Sequence, residues 1–548
     1  IKGFSALPGR IVMLEPRRIA ARMAAERMAS TLGEKVGGRI GLSTRIDRRV
    51  GIVTVVEVST DGLFSRRLLA DPELSGVSAV IFDEIHERSL NADLGLALAM
   101  EVQEALRDDL HLLAMSATLD TEGMAAKLDA PIIESEGRQY PVETRYLGRT
   151  RDRIEDQIAA AIKKAHRETE GSLHAFMPGA GEIRRVAERL DFKASTLIAP
   201  LFGALSPKEQ DAAVSPAPAG QRKIVLATDI AESALTIEGV SVVIDSGLAR
   251  IPETDASGQT RLTTVRASRA NVDQRRGRAG RLGPGVCYRL WDEAETRGLI
   301  AAPRPEILSA DLSGLLLTLA EWGERDPANL TWLDAPPAGR IKAAHTLLVS
   351  LGALDEAGML NERGRAKSHL PLSPRLAALV AGADTQGEKA LAARIAALAS
   401  ERGVGGNSED VTARLAGFER DNSTRAKALR RQADRWAGGA DPLGNPAKIL
   451  AKGWPDLIAR KRPGTAATYV TVSGRAGQLE ETSPLAKSNW LAVAEMVGSA
   501  KQARITLAAA LEEADALSAC PPETREDAHF DATKGTFRAR RVKAMGAI

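Results

Sequence analysis

The chain has 548 residues, of which 44% are hydrophobic and 26% charged, and its formal net charge at neutral pH is +3. This length favours several domains over a single core, and no apolar run reaches the roughly 18 residues that a membrane helix needs. We therefore expect no contact with a membrane. The two cysteines, Cys287 and Cys520, lack metal-ligand spacing, which argues against a zinc site or a disulfide framework and fits a reducing compartment.

Short apolar runs rich in β-branched residues alternate with helical stretches over the first 300 residues. A first set lies at 11–14, 53–58, 77–82 and 110–115, and a second set at 173–177, 224–227, 240–244 and 286–290. Runs bounded by polar turns and separated by helices are typical of parallel strands that are buried on both faces. We therefore predict two doubly wound α/β domains in tandem, with ligands at the carboxyl ends of their strands.

The predicted secondary-structure elements change further along the chain. The segments 248–253 and 261–266 flank Asp255-Ala-Ser-Gly258 and predict a β-hairpin. A leucine-rich helical face then ends near Trp322-Gly323, and further helices are expected to about residue 436. A Gly/Pro-rich linker is predicted at 438–446, and the remainder mixes helix with strand.

An acidic string, Asp83-Glu84-Ile85-His86, directly follows the predicted strand 77–82. Two adjacent carboxylates at a strand end suit a magnesium nucleotide, because one can hold the hydrated cation while the other orients and deprotonates a water. The alternative is a polar strand terminus that caps a helix. We favour the interpretation as a nucleotide site, since a fixed four-residue string occurs by chance in well under roughly one chain in a hundred of this length.

Four other strings also follow predicted strand ends. Ser116-Ala117-Thr118 comes after the next strand, where its hydroxyls would relay a change at the carboxylates to a neighbouring domain. Glu15-Pro16-Arg17-Arg18, Thr60-Asp61-Gly62 and Thr228-Asp229 place arginines and amides at helix starts, which suits a phosphodiester backbone. Each string is a weak signal alone, because helix-capping residues show the same pattern.

The string from Gln274 to Arg281, Gln-Arg-Arg-Gly-Arg-Ala-Gly-Arg, is the second strong signal. Guanidinium groups neutralise charge on a transferring phosphoryl group, and a glutamine can position the water. The alternative is a solvated basic turn. A phosphate-binding P-loop needs Gly-Lys followed by Ser or Thr, and no Gly-Lys dipeptide occurs in the sequence.

In order and spacing these strings resemble the motif series of DEAH-box helicases of superfamily two, most closely the bacterial HrpB type. The resemblance covers nearly the whole chain and includes 178–183, 227–236, 312–323, 332–337 and 454–460. It implies two tandem RecA-like parallel-sheet domains followed by winged-helix, helical and mixed α+β regions. The expected ranges are 1–141 and 142–302 for the RecA-like domains, 303–370 for the winged helix, 371–440 for a helical ratchet-like region and 441–548 for an HrpB-type carboxyl-terminal region.

The resemblance also implies roles for single residues. Catalytic roles would fall to Glu84, His86, Gln274, Arg278 and Arg281. Nucleotide contacts would come from Asp83, Glu84, Arg27, Arg278 and Arg281, with Asp83 as the magnesium ligand and Arg27 against the base. Coupling would involve Ser116 and Thr118. The nucleic-acid backbone would be held by Arg17, Arg18, Thr60 and Thr228.

Some features depart from the family pattern. We expect the P-loop just upstream of Ile1, so that the chain is a fragment. Val214 stands where many eukaryotic relatives carry an aromatic residue over the base, and 537–548 has the pattern of an unfinished strand.

The expected function is that of an ATP-dependent RNA helicase or ribonucleoprotein remodeller in the bacterial cytoplasm, using Mg²⁺ and ATP or other NTPs on single-stranded RNA. The 3′-to-5′ direction comes from the resemblance only. DNA as the substrate is an alternative, since the sequence gives no clear readout of the 2′-hydroxyl. A non-catalytic nucleic-acid-binding scaffold is a second alternative if the P-loop is truly absent, and the 548 residues alone are expected to hydrolyse NTP weakly or not at all. A metal-dependent nuclease is disfavoured because no further carboxylates or histidines cluster near Asp83 in sequence.

Overall fold

A computed structural model describes residues 8–45, 47–117, 121–135, 137, 140–203, 205–229, 232, 237–254, 260–400, 403–499, 502–531 and 536–548. The chain forms two compact units, one of residues 1–253, 262–310 and 326–337, and the other of residues 254–261, 311–325 and 338–548. Thr118, Leu235-Thr236 and the predicted turn 255–258 lie outside the described residues. The finer division into five domain ranges stays a prediction.

The first domain of the first unit is built on a six-stranded sheet. Its strands are β1 (Arg10–Glu15), β2 (Ile40–Ser43), β3 (Arg48–Arg49), β4 (Val56–Thr60), β5 (Val77–Phe82) and β6 (His111–Ala114), in the order β3-β2-β4-β1-β5-β6. Neighbours run parallel except β2 and β3. The helices are α1 (Arg18–Thr31), α2 (Asp61–Ala70), α3 (Leu90–Ala105) and α4 (Thr121–Leu128). The predicted strand 53–58 begins only at Val56, because Val53 lies exposed in a turn.

The second domain repeats this architecture. Its sheet strands are β7 (Val142–Tyr146), β8 (Ser172–Phe176), β9 (Thr196–Leu201), β10 (Arg222–Ala227) and β11 (Val240–Asp245), followed by the hairpin strands β12 (Leu248–Thr254) and β13 (Thr260–Arg266), and by β14 (Gly285–Arg289). The sheet order is β7-β14-β11-β8-β10-β9, and all neighbours run parallel. The helices are α5 (Ile154–Glu168), α6 (Ala180–Arg189), α7 (Pro207–Val214), α8 (Arg269–Gly277) and α9 (Glu293–Thr296). The two tandem parallel-sheet domains predicted from the sequence are therefore confirmed.

The second unit begins with helices. They are α10 (Ser313–Trp322), α11 (Ala338–Ser350), α12 (Glu362–Ser368), α13 (Pro374–Ala381), α14 (Gln386–Ser400), α15 (Val411–Arg420), α16 (Thr424–Ala437) and α17 (Pro446–Gly453). The predicted leucine-rich helix is α10, and it ends at Gly323, whose φ of 101° is the left-handed conformation that favours glycine at a helix end.

A small closed barrel, which the sequence did not predict, follows these helices. Its strands are β15 (Ile458–Lys461), β16 (Thr468–Thr471), β17 (Ala476–Gln478), β18 (Trp490–Ser499) and β19 (Gln502–Leu511), in the order β15-β16-β17-β19-β18. Five strands with this order, in which β17 and β19 are parallel, form an OB-type barrel. After α18 (Glu513–Ala519), β20 (Glu523–Asp531) pairs with β21 (Thr536–Ala544). The expectation of an unfinished strand at 537–548 was wrong, because β21 ends at Ala544 with every residue paired.

Each unit has its own apolar core. In the second unit one continuous core runs through the helices and the barrel, from Leu379 to Met545. In the first unit Ile19 of α1 packs into a cluster with Phe176 and Val225 of the second sheet, so the two parallel-sheet domains share apolar contact. Among the described residues, no helix has the length and apolar character that crossing a bilayer demands.

Candidate NTP site between the two parallel-sheet domains

The acidic string lies at the carboxyl end of the buried strand β5. The Asp83 amide donates to the Leu14 carbonyl at 3.0 Å, and the Asp83 Oδ1 atom accepts from the Glu84 amide at 2.7 Å. Glu84 has a φ of +50°, in the left-handed region that non-glycine residues rarely adopt. Such strain persists where surrounding structure holds it and is concentrated at functional sites. Here it turns the chain sharply into the short 3-10 turn Ile85–Glu87.

Several carboxyl groups crowd this strand end. Glu15, which ends β1, is only 1% exposed, and burial together with Asp83 and Glu84 raises its pKa to about 9. Burial and the neighbouring carboxylates Asp83 and Glu87 raise the pKa of Glu84 to about 7. The buried Glu15 Oε2 atom has no protein partner. Clustered carboxylates with an unsatisfied oxygen fit a divalent cation, which would relieve their repulsion.

The same carboxylates do not form a metal cage on their own. Among the described residues, no group of three or more His, Cys, Asp or Glu side chains is arranged to hold a metal ion. This fits Mg²⁺, which usually keeps several waters and binds through one or two carboxylates plus substrate phosphates.

His86 connects the acidic turn to the second domain. Its Nδ1 atom accepts from the Ala117 amide at 3.3 Å, and its Nε2 atom lies 2.6 Å from the side-chain amide of Gln274 and 3.3 Å from Glu84 Oε2. Burial lowers the pKa of His86, so its ring is neutral at pH 7. His86 thus links the acidic turn to Gln274 of α8 through a contact between two side-chain nitrogens.

The arginine string meets the acidic turn from the other side. Arg278 is 6% exposed; burial and the neighbouring Arg281 lower its pKa to about 9, while Glu84 opposes that shift. Its guanidinium donates to the Glu232 carbonyl. Arg281 lies at the exposed rim, where partial desolvation lowers its pKa and Glu84 again opposes the shift. The structure thus brings Arg278 and Arg281 within electrostatic range of Glu84, and Gln274 contacts His86 of the same turn.

The remaining two arginines of the string have structural contacts. Arg275 is 1% exposed and pairs with Glu232 at 3.0 Å and with Asp245 at 2.9 Å. Arg276 donates to the Thr144 hydroxyl and the Val142 carbonyl of β7. The string therefore divides into two arginines that stabilise the domain and two that face the acidic turn.

Arg17, which is predicted to contact nucleic acid, lies between the two RecA-like domains, and its predicted role stays a prediction. Its NH1 atom donates to the Asp229 carbonyl at 2.5 Å, and its NH2 atom lies 3.1 Å from Glu87 Oε2 and 4.0 Å from Asp229 Oδ2. Burial lowers the pKa of Arg17, but Glu87 and Asp229 raise it by more. Arg17 therefore joins the acidic turn of the first domain to the strand end after β10 in the second.

The other predicted residues are spread over the rim. Arg18 begins α1 with an exposed side chain, Thr60 precedes α2 and is half-buried, and Thr228 is half-buried after β10. Arg27 is 79% exposed, with its NH1 atom 4.0 Å from Glu238 Oε1. Ser116 is half-buried after β6. The roles predicted for these residues stay predictions.

Three residues that lie at this candidate NTP site were given no role from the sequence. They are Glu15 beside Asp83, Glu87 beside Arg17, and Glu232 beside Arg275 and Arg278. Glu15 carried a signal, because a charged residue that ends a buried strand next to another acidic strand end is unusual. The partners of Arg17 carried no signal in the sequence, since they depend on how the two domains pack against each other.

Two parallel-sheet domains that join an acidic strand end to an arginine turn define a nucleotide-hydrolysing motor of the helicase class. Residues 155–283 match the family model of the helicase conserved C-terminal domain. The ATP-dependent RNA helicase HrpB of Escherichia coli is 43% identical over 552 residues, which are 98% of this chain and 67% of that protein. The chain belongs to this HrpB-type family of DEAH-box superfamily-two helicases.

Further comparisons agree with this family. The crystal structure of Escherichia coli DEAH/RHA helicase HrpB superposes with a TM-score of 0.89 at 40% identity, covering 98% of this chain and 69% of that one. The ATP-dependent RNA helicase HrpA homolog of Haemophilus influenzae is 36% identical over 395 residues, which are 70% of this chain but 30% of that protein. The likeness to HrpB therefore extends over the second unit as well as the two RecA-like domains.

Proposed function

We propose that this protein is an ATP-dependent RNA helicase or ribonucleoprotein remodeller that couples NTP hydrolysis to movement along single-stranded RNA. The observation that carries the proposal is the 2.6 Å approach of His86 to Gln274, which links the hydrolytic turn of one RecA-like domain to the arginine turn of the other. The names of the relatives, which are ATP-dependent RNA helicases, support RNA as the substrate. Their bacterial sources support a bacterial cytoplasmic location.

In the proposed mechanism each side chain acts from its observed position. Glu84 orients the attacking water and accepts its proton, and a pKa of about 7 suits a base that works near neutral pH. Gln274 positions the same water, while Arg278 and Arg281 neutralise the charge that develops on the phosphoryl group. Asp83 would bind Mg²⁺, which supplies charge neutralisation on the phosphates when it is bound.

The protein would bind nucleic acid mainly through the phosphate backbone of the nucleic acid. Arg18, Thr60 and Thr228 lie at strand ends and helix starts, where side chains and amides suit phosphate oxygens. Binding through phosphates is nearly blind to sequence and weakens as salt rises. Arg27 would contact the nucleotide base, and Ser116 and Thr118 would transmit the state of the nucleotide between the domains.

NTP turnover by a chain extended upstream of Ile1 to include the expected P-loop, with and without single-stranded RNA or DNA, tests this proposal. This extended chain is the full-length protein of the experiments below. We expect RNA to stimulate ATP turnover and Glu84→Gln to abolish it while RNA binding persists. Stronger stimulation by DNA would instead support a DNA helicase. RNA binding without any turnover would refute the enzyme and leave a binding scaffold.

A further inference from the structure

Arg17 contacts the residue that follows the acidic string and a residue of the Thr228-Asp229 string. It belongs to the string Glu15–Arg18 and sits between β1 and α1. Its guanidinium reaches Glu87, three residues after the catalytic Glu84, and the backbone carbonyl of Asp229, which follows β10 of the second RecA-like domain. A single side chain thus touches the hydrolytic turn and the opposite domain.

The neighbouring Arg18 provides a contrast. Its side chain is exposed, whereas the side chain of Arg17 is 26% exposed and its two terminal nitrogens face Glu87 and Asp229. Guanidinium forks hold two acceptors in a fixed plane, which is why arginine is suited to bridging groups. The two adjacent arginines therefore occupy different environments although the sequence presents them as a pair.

Glu87 is the link between Arg17 and the hydrolytic turn. It ends the short 3-10 turn Ile85–Glu87, which begins directly after Glu84, and its Oε2 atom lies 3.1 Å from the NH2 atom of Arg17. A change in the Arg17–Glu87 pair would therefore act on the turn that carries Glu84 and His86.

We propose that Arg17 is a positioning residue that couples nucleic-acid binding to hydrolysis, by bridging Glu87 and the Asp229 carbonyl across the two RecA-like domains. The inference rests on the proposed function and assigns Arg17 a role beyond holding a phosphate. Arg18, at the start of α1, and Thr228, after β10, are the chain neighbours of Arg17 and Asp229. Nucleic acid at those residues would favour the bridge, and the bridge would hold the turn that carries Glu84.

Steady-state ATP turnover over a range of single-stranded RNA concentrations separates coupling from simple binding. The full-length protein is compared with Arg17→Gln, Arg17→Lys, Glu87→Gln and the Arg17→Gln/Glu87→Gln double variant, with Arg18→Gln as the matched control. Arg17→Gln is expected to lower the maximal stimulated rate about tenfold or more, with the half-saturating RNA concentration changed less than about threefold. Arg18→Gln is expected to raise the half-saturating RNA concentration and keep the maximal rate.

Two further results are required. The double variant should be no slower than Arg17→Gln alone, because both changes break one pair. Arg17→Lys, which keeps the charge and guards against a loss of folding, should recover part of the maximal rate. Equal shifts in RNA affinity for Arg17→Gln and Arg18→Gln, with unchanged maximal rates, would overturn the coupling role. Absence of stimulation in the unmodified protein would instead refute the proposed function.

Discussion

Replacing Arg275 with glutamine is expected to destabilise the second RecA-like domain, whereas the same change at Arg278 is expected to abolish turnover and keep the fold. Arg275 compensates two buried carboxylates, Glu232 and Asp245, which are 4% and 0% exposed. Its guanidinium also lies 5.2 Å from the Phe176 ring centroid. Removing one member of a buried ion pair costs about 3–5 kcal/mol, because an uncompensated charge stays buried.

The loss should depend on pH. Burial already raises the pKa of the Glu232 carboxyl and Arg275 opposes that shift, so without Arg275 its folded-state pKa would rise further above the unfolded value of about 4. The folded variant would then hold protons that the unfolded chain releases as pH rises, so its stability falls with rising pH. We expect the full deficit near pH 8 and a smaller one at pH 5 to 6.

Amide hydrogen exchange of β11 and α8 is a local measure of this stability. Arg275→Gln should lower their protection strongly at pH 8, and Arg278→Gln should change the free energy of opening by no more than about 1 kcal/mol. For Arg278 the burial of the charge is itself unfavourable, so its removal offsets part of the lost hydrogen bond. Native protection in Arg275→Gln, or unfolding in Arg278→Gln, would refute the division between structural and site arginines.

Three more results are expected. His86→Ala and Gln274→Ala should each lower stimulated turnover about tenfold to a hundredfold, and their combination should be no worse, because one buried contact is lost in each case. Cys287 is 0% exposed and burial raises the pKa of its thiol to about 12, so at pH 8 a thiol reagent should label Cys520 alone in the native protein. Burial raises the pKa of Asp61 to about 7, so folding stability should fall between about pH 4 and pH 7 by roughly 4 kcal/mol through this group.

Each of these has its own control. Additive losses in the turnover cycle would show that His86 and Gln274 act independently. Native labelling of a Cys520→Ser variant would show that Cys287 is accessible. For the pH effect, Asp61→Asn keeps an oxygen that can accept from the Ser89 hydroxyl and removes the titration. From pH 5 to pH 8 the unfolding free energy of Asp61→Asn in urea should therefore rise relative to that of the unmodified protein. Parallel pH profiles of the two proteins would contradict the raised pKa of Asp61.

Buried strands with a continuous apolar run were predictable from the sequence, whereas the buried four-residue strand β2, Ile-Gly-Leu-Ser, was missed. The run 77–82 coincides with β5, whose six residues are all buried. Edge strands were missed: β7 carries Glu143 and Arg145 on its half-solvated surface, and β3 has only two residues. The barrel was missed because its strands β15 and β17 are short and are held by partners far along the chain.

The candidate site was only partly predictable. Adjacent carboxylates at a strand end identified Asp83 and Glu84, and the arginine string identified the opposing turn. No pattern in that string separates Arg275 from Arg278, because the difference lies in which side of a short turn faces the core. The contacts of Arg17 depend on the meeting of two domains, and that meeting leaves no local signal in the sequence.

Strand displacement tests the central claim most directly, since the claim is that hydrolysis at this site drives movement along RNA. The full-length protein would be given RNA duplexes with a single-stranded tail at either the 3′ or the 5′ end, with ATP and with Glu84→Gln as the control. We predict ATP-dependent displacement from the 3′-tailed duplex that is lost in Glu84→Gln. Displacement that proceeds without ATP or survives in Glu84→Gln, or RNA-stimulated turnover that moves no strand, would contradict the claim.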